Sequence, residues 1–336
     1  MKPLYSFIIG VFLGFPNTAF SETQIETKIG SFFHQITLQS SKTQTQLNQW
    51  VAPIKVRLPL AKGNFSIQTA LMYVEQRKPL AKEIRGTIST KLTGTWPLGK
   101  NSLFSLYTSI PTCKRSLASQ DTALAQALMR NDLNFPVKTY GEGFDIGGAL
   151  SLARNQGHFS LGIGLAFLKK GPYSPIQTIS NYKPGDEATF TLGLDYFRNH
   201  FTYRLTGVGT LYFTDRFNGL VNFQNGKQLL LQASGQYENS RFRFNLEISK
   251  ISSLKNLKPT AGPGTSLLYE LQNSNRNDLR LHLKASWTPK PFIYFFASEK
   301  FKYLSSPTSL FLNRGSAHLW ESGAGISLSL GNQNHF

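Results

Sequence analysis

Apolar and polar residues alternate one by one along most of this chain. In 159–167 every second residue is large and apolar, whereas the residues between them are small or polar. The segment 241–249 repeats the pattern with charged and polar residues between its apolar ones. Successive side chains of a β-strand point to opposite sides of the sheet. The pattern therefore predicts strands with one apolar face and one small or polar face.

The alternation recurs often enough to predict about 14 strands. The predicted strands are 24–38, 48–60, 65–78, 84–98, 103–112, 143–155, 158–169, 187–199, 201–214, 227–238, 241–251, 278–288, 291–303 and 316–330. Most have about 10 to 14 residues, which exceeds the roughly five or six that are usual for globular strands. Strands of this length are sufficient to cross a bilayer, since a tilted transmembrane strand needs about 9–11 residues.

The connections between these strands alternate in length. Six are short, namely 61–64, 99–102, 156–157, 200, 239–240 and 289–290. The others are mostly longer, namely 39–47, 79–83, 113–142, 170–186, 215–226, 252–277 and 304–315. Outer-membrane barrels have short periplasmic turns and longer external loops. The chain is therefore expected to form one antiparallel up-and-down barrel over 23–336, with strand 1 paired to strand 14 and both termini in the periplasm.

The first residues have the layout of a secretory signal peptide. Lys2 precedes an apolar stretch at 4–15, and small residues follow at Ala19 and Ser21. A transmembrane anchor is the alternative, but the stretch is shorter than the roughly 20 residues that a spanning helix needs. We therefore predict a signal peptide at 1–21 and a barrel domain at 22–336.

Composition narrows the function classes. Hydrophobic residues make up 40% of the chain, which is enough to exclude a disordered protein. A single Cys excludes a disulfide framework. The net charge of +18 would suit a nucleic-acid partner, but the basic residues are dispersed singly along the chain, so no nucleic acid is expected.

Together these features resemble the bacterial outer-membrane β-barrels over residues 23–336. Apolar residues of one parity approach a terminal aromatic, with polar residues at 332 and 334: Ile326, Leu328, Leu330 and Phe336. That ending is similar to the C-terminal signal that the barrel assembly machinery reads in this class. The strand number also resembles the fatty-acid and hydrocarbon transporter family, without the N-terminal plug of that family. The resemblance implies outer-membrane localisation, with membrane lipid and the assembly machinery as partners.

The polar face of each strand is expected to line the lumen. The basic candidates are Lys55, Arg57, Lys91, Arg204, Arg241, Arg243, Arg280 and Lys284. The acidic residues of inward parity are Asp195, Glu247, Glu299 and Glu321. A cation-rich wall favours anions. Alternatively, these side chains pair with one another and fill the interior, and both interpretations stay open.

Two further features concern the loops and the strand ends. Residues 119–129 of the longest loop predict a short helix, which either narrows the mouth of the barrel or lies on its external rim. Aromatic residues near strand ends predict girdles at the lipid headgroups. These residues are Trp50, Trp96, Trp287, Trp320, Tyr173, Tyr196, Tyr212, Tyr237 and Tyr303.

No enzymatic, metal-binding or cofactor-binding motif is found in the sequence. We therefore expect a protein that is not an enzyme and has no metal or cofactor. The leading hypothesis is an outer-membrane channel or passive transporter for small solutes, with anions favoured on one interpretation of the lumen. The alternative is a non-conducting surface, binding or structural barrel. The sequence does not identify the solute or the oligomeric state.

Overall fold

The computed structural model describes residues 26–39, 44–60, 62–78, 82–112, 143–174, 181–260, 268–271, 274–290, 292–309 and 312–330. The predicted signal peptide, the predicted helix at 119–129, the single cysteine Cys113 and the terminal Phe336 lie outside these ranges. None of the described residues forms a helix that is long and apolar enough to cross a membrane.

The described part of the chain is built from β-strands. They are β1 (Glu26–Gln39), β2 (Gln44–Leu60), β3 (Gly63–Lys78), β4 (Lys82–Thr87), β5 (Thr90–Gly99), β6 (Ser102–Ile110), β7 (Asp145–Gln156), β8 (Phe159–Lys169), β9 (Tyr182–Lys183), β10 (Glu187–Arg198), β11 (Phe201–Tyr212), β12 (Thr214–Phe217), β13 (Leu220–Gln224), β14 (Gln228–Glu238), β15 (Phe242–Ser253), β16 (Leu257–Pro259), β17 (Leu268–Glu270), β18 (Arg276–Lys290), β19 (Ile293–Ser309) and β20 (Leu312–Leu330).

Fifteen of these strands form a single antiparallel sheet that closes on itself. β1 pairs with β2 on one side and with β20 on the other, and β2 also pairs with β3, so the sheet has no free edge. β4 and β5 together occupy one position, which leaves 14 strands around the wall. The expected 14-stranded barrel and the pairing of its first and last strands are thus confirmed. Closure matters because lipid cannot satisfy the hydrogen bonds of an open edge.

The fourth wall strand differs from the continuous strand that was expected at 84–98. β4 pairs with the loop-side half of β3, and β5 pairs with its other half. Between them, the amide of Ile88 donates to the carbonyl of Ala70 at 2.9 Å. Ile88 and Ser89, which lie between β4 and β5, shift the register by one residue, as a bulge does. Even-numbered residues such as Ile84 therefore face inward in β4, whereas odd-numbered residues such as Lys91 face inward in β5.

The outer surface of the barrel is apolar along most of the described strands. Over 159–167 of β8 the exposed residues are the large apolar ones at odd positions, whereas glycine, alanine and serine face inward. Exposed apolar side chains in such number would be unfavourable in water and are expected of a surface in contact with lipid. The alternation that was visible in the sequence therefore corresponds to the two sides of the barrel wall.

Aromatic rings gather on the outer surface near the short turns. Phe159 packs against Tyr196 with ring centroids 4.9 Å apart, and Tyr196 stacks with Tyr203. Two of the expected girdle residues lie elsewhere. Tyr212 faces the interior and donates to Gln228 Oε1 at 3.0 Å, whereas Tyr173 packs against Tyr182 in the long connections. Both lie where strands end, but position along a strand does not determine which face a residue occupies.

Three long connections form a second, five-stranded sheet in the order β17-β16-β13-β12-β9. These connections were expected to be loops. Asn218 and Gly219, with φ of 50° and 81°, make the tight turn between β12 and β13. At the base of this sheet, Asp215 accepts hydrogen bonds from the Tyr182 hydroxyl and from the amide of Gly185, the latter at 2.7 Å. The sheet extends the barrel beyond its apolar band.

Candidate functional site

Burial divides the barrel interior along its length. In the half next to the long loops, inward side chains such as His34, Gln49 and Val74 are fully buried. In the half next to the short turns, inward side chains such as Arg57 and Gln68 are exposed. The interior is therefore accessible at the short-turn end, which we call the vestibule, and its side chains are packed more densely toward the long loops.

A row of basic residues lines one wall of this vestibule. Lys28 in β1 lies directly opposite Lys55 in β2, and Lys55 lies opposite Gln68 in β3. Gln68 in turn lies opposite Lys91 in β5. The three lysines are exposed, as is Arg57 on the same face of β2. We call Lys28, Lys55, Arg57 and Lys91 the cationic row.

Lys28 is the member of the cationic row that the sequence did not indicate. β1 has apolar residues at both parities, for example Ile29 and Phe32, so alternation alone does not show which side faces inward. The pairing with β2 decides it, because Lys28 shares its face with the buried His34. The alternation within one strand does not show which residues of its neighbouring strands lie opposite, and that register was needed to assign the face of Lys28.

Apart from Leu319 on β20, most buried apolar side chains that line the interior of the loop-side half form two sets. On β2, β3 and β4 the buried inward residues are Leu47, Val51, Ala70, Met72, Val74 and Ile84. A second set on β11, β14 and β15 consists of Val208, Leu230 and Ile251, which are directly opposite one another in the register. The two sets are half-way round the strand order from each other. We call them together the apolar neck.

A third part of the interior wall is ionic. Glu321, Lys300, His282 and Glu247 form one register row across β20, β19, β18 and β15. Glu321 is fully buried, with its Oε1 at 3.2 Å from His34 Nδ1 and its Oε2 at 3.8 Å from Lys300 Nζ. Unlike charges on directly opposed positions stabilise a sheet. This wall therefore fills the interior by charge pairing.

Further ion pairs hold most of the remaining inward charges. Arg204 donates from Nε and Nη2 to the two carboxylate oxygens of Asp195, at 2.6 and 2.7 Å. Arg243 pairs with Glu238 near the short turns. Lys170 pairs with Glu187 near the long loops, where both side chains are buried.

The eight predicted basic residues thus fall into four groups. Lys55, Arg57 and Lys91 belong to the exposed cationic row. Arg204 and Arg243 are held by acidic partners, and Arg280 and Lys284 lie on the inward side of β18, where Lys284 Nζ is 5.0 Å from the Phe296 ring centroid. Arg241 lies in the turn before β15 and is exposed there. The structure therefore groups three of the eight together.

Glu299 was expected on the inward face, but it lies on the outer surface. It is exposed and directly opposite Leu283, which is also exposed on the outside of β18. Apolar residues occur at both parities in β19, for instance Phe295 and Phe296, so the sequence pattern does not fix the inward side of this strand.

The closed antiparallel wall, the apolar exterior and the polar interior define an outer-membrane β-barrel of porin-like architecture. Within the described residues, no group of three or more His, Cys, Asp or Glu side chains is arranged to hold a metal ion.

Comparison with known proteins finds no matching family model and no matching curated protein. The similar solved structures include the TodX deltaS2S3 mutant monoaromatic hydrocarbon channel, at a TM-score of 0.49 and 9% identity over 93% of this chain and 91% of that one. The CymD monoaromatic hydrocarbon channel has a TM-score of 0.47 and 9% identity, over 94% and 90%. The anion-selective porin from Comamonas acidovorans has a TM-score of 0.47 and 8% identity, over 92% and 100%. The barrel fold is assigned from the strand pairing of this chain and not from these similarities.

Proposed function

We propose that this barrel is a passive channel of the outer membrane that favours small anionic solutes. The observation that carries the proposal is the cationic row on the accessible wall of the vestibule. Four basic positions thus lie close together on the exposed part of the wall, with Glu26 directly opposite Arg57 in the register as the acidic position beside them. They lie where a solute would enter from the short-turn end.

The register brings like charges together in this row. Lys28 and Lys55 are direct cross-strand partners, and like charges at directly opposed positions repel each other. Three lysines and an arginine close together raise the positive potential of the vestibule, which lowers the cost for an anion that leaves bulk water. Such an arrangement is understandable if an anionic solute passes along it.

The solute path then meets the apolar neck. Met72 is the second inward residue after Gln68 along β3, in the direction of the long loops, and its side chain is buried. An apolar constriction of this kind limits the passage of hydrated ions. We therefore expect a small conductance, set by the width of the neck rather than by the vestibule.

Single-channel conductance in planar bilayers tests this proposal. The wild-type protein is expected to give discrete current steps, and Met72→Ala is expected to increase them because it removes bulk from the neck. Leu71→Ala is the matched control, because Leu71 is the next residue and faces outward. Absence of current steps in both the wild type and Met72→Ala would contradict a channel.

The proposal includes an orientation in the membrane. The short turns and both termini would face the periplasm, and the five-stranded sheet would face the outside, as in other outer-membrane barrels. Membrane lipid and the barrel assembly machinery are the partners that this location requires. In a Cys113→Ser background, an impermeant maleimide added to intact cells should label Lys258→Cys in β16 and not Lys100→Cys in a short turn. The reverse labelling would contradict the orientation.

A non-conducting barrel is the second candidate, and a specific observation favours it. The side chains of Lys302 and Glu321 have no exposed surface although both lie inside the barrel. An interior that is packed across its whole section would support a surface or structural role. The same conductance measurement separates the two functions, because only the channel gives current steps.

A further inference from the structure

One carboxylate lies in the middle of the apolar outer surface. Along the outward face of β19, Glu299 is preceded by Phe295 and Ala297 and followed by Phe301 and Tyr303, all of them exposed. Other outward acidic residues, such as Glu75 and Glu83, lie near the long loops. Among the described residues, Glu299 is the acidic side chain that is flanked on both sides along its strand by outward apolar ones.

Polar residues lie beside this carboxylate on the two strands to one side of it, β20 and β1. Ser322 Oγ on β20 donates to Glu299 Oε2 at 2.9 Å, and Trp320 Nε1 donates to Ser322 Oγ at 3.2 Å. Gln35 on β1 lies directly opposite Ser322 and is exposed. Glu299, Ser322 and Gln35 thus form a polar row on the outside of three adjacent strands.

Three residues next to the polar row are small. Ala297 and Ala324 are directly opposite each other on β19 and β20, and Ser31 on β1 is also exposed. Small outward residues let a second surface approach closely, and a polar group in hydrocarbon favours a partner that satisfies it. Phe33 lies between Gln35 and Ser31 on the outward face of β1, directly opposite Ala324, and packs against Trp50. Phe301 against Trp320 borders the area on the side of the long loops. The area formed by the polar row, Ala297, Ala324 and Ser31 is called the outer patch below.

We infer that the outer patch is the interface of a symmetric dimer of this chain. The patch is complementary to itself: β19 carries an acceptor carboxylate, and β1, two strands away, carries the Gln35 amide donor. A two-fold axis parallel to the barrel axis and passing beside β20 places β19 of one copy against β1 of the other. Each Glu299 then approaches the Gln35 of its partner subunit, and each contact occurs twice. The strand tilt of about 35–45° offsets the two residues along the barrel axis, so their long side chains have to extend toward each other.

This pairing accounts for the polar row better than lipid does. Lipid tails offer no donor to a carboxylate, and the donors of headgroups are beyond the apolar residues on either side of Glu299. A second copy supplies an amide donor, two hydroxyls and small residues at the same place. The inference does not depend on conduction, because it concerns the outer surface alone.

Cross-linking tests the dimer directly. In a Cys113→Ser background, Ser322→Cys is reconstituted into vesicles of neutral phospholipid and treated with a short bifunctional maleimide. Because Ser322 lies beside the two-fold axis, most of the protein should migrate at twice the monomer mass. Leu192→Cys is the matched control, since it is exposed on the outside of β10, half-way round the strand order. Equal cross-linking of both variants, or none of Ser322→Cys, would overturn the inference.

The chemistry of the row is tested by a second measurement. Glu299→Leu and Gln35→Leu should each reduce the cross-linked fraction of Ser322→Cys at least threefold, whereas Leu192→Ala should not. Folding is checked by the heat-dependent shift in electrophoretic mobility that closed barrels show. A folded Glu299→Leu protein that cross-links like its parent would overturn the role of the carboxylate and with it the proposed pairing.

Discussion

Lys302 Nζ lies 3.0 Å from Asp278 Oδ2 inside the barrel, and the two side chains are 0% and 1% exposed. The residues are on adjacent strands, β19 and β18, offset by two positions, since Arg280 is the residue directly opposite Lys302. Two charges so deeply buried are expensive to separate, because each would keep its desolvation cost without its partner. The pair therefore joins neighbouring strands of the ionic wall.

Removing one member of this pair should destabilise the barrel strongly. Lys302→Met is expected to lower the free energy of unfolding by about 3–5 kcal/mol, the usual effect of removing one member of a buried ion pair. The double variant Lys302→Met/Asp278→Leu should recover most of the loss. Urea unfolding in lipid vesicles, followed by tryptophan fluorescence, measures both. A double variant that is less stable than Lys302→Met would contradict the pairing.

The two faces of β15 should differ in access from lipid. Phe244 is exposed on the outer surface, whereas Arg243 lies opposite Ser286, which is buried inside. In a Cys113→Ser background, a membrane-soluble maleimide should react with Phe244→Cys and not with Arg243→Cys, while a water-soluble reagent should show the reverse preference. Because a register shift of one residue exchanges the faces, lipid access to Arg243→Cys alone would contradict the assignment.

The Tyr182 hydroxyl should lose its proton only at a higher pH than an ordinary tyrosine. It lies in the five-stranded sheet beyond the apolar band, where burial and the nearby Asp215 carboxylate raise its pKa well above the usual range. The folded protein thus holds the neutral phenol, and this contribution to stability is constant below pH ~10 and falls above it. Absorbance of tyrosinate near 295 nm in Asp215→Asn should show Tyr182 ionising at lower pH, with Tyr182→Phe in each background as the reference.

The Arg204–Asp195 pair should have little influence on ion selectivity. Both guanidinium nitrogens that face Asp195 are engaged, so the pair presents almost no net charge to the vestibule. The double variant Arg204→Gln/Asp195→Asn leaves the net charge unchanged, and its reversal potential should equal that of the wild type. Bi-ionic measurements check this, and a large shift in the double variant would show that the pair is separated in the conducting protein.

The strands were predictable because contact with lipid on one face requires an apolar residue at every second position. The strand expected at 187–199 is β10 (Glu187–Arg198), and the one expected at 227–238 is β14 (Gln228–Glu238). An outward position must be apolar and its neighbour is free to be polar, so each strand shows its two faces in the sequence. The short strands β9 and β16 were missed because two or three residues are too few to show alternation.

The interior was only partly predictable. Whether Arg204 is available to a solute depends on Asp195, which the hairpin between β10 and β11 brings opposite to it. That partner is nine residues away in sequence, and only the register of the two strands shows that they meet. Lys28 and Glu299 lie in strands with apolar residues at both parities, so pairing with neighbouring strands was needed to assign their faces.

The reversal potential across a potassium chloride gradient tests the central claim most directly. At low salt the wild-type channel should favour chloride, and the preference should weaken as the screening length falls below about 10 Å above 0.1 M. Lys28→Gln/Lys55→Gln/Lys91→Gln should lose most of this preference. The control Lys62→Gln/Lys100→Gln/Arg241→Gln, with the same change of charge in the short turns, should keep it. Cation preference in the wild type, or equal effects of the two triple variants, would contradict an anion path along the cationic row.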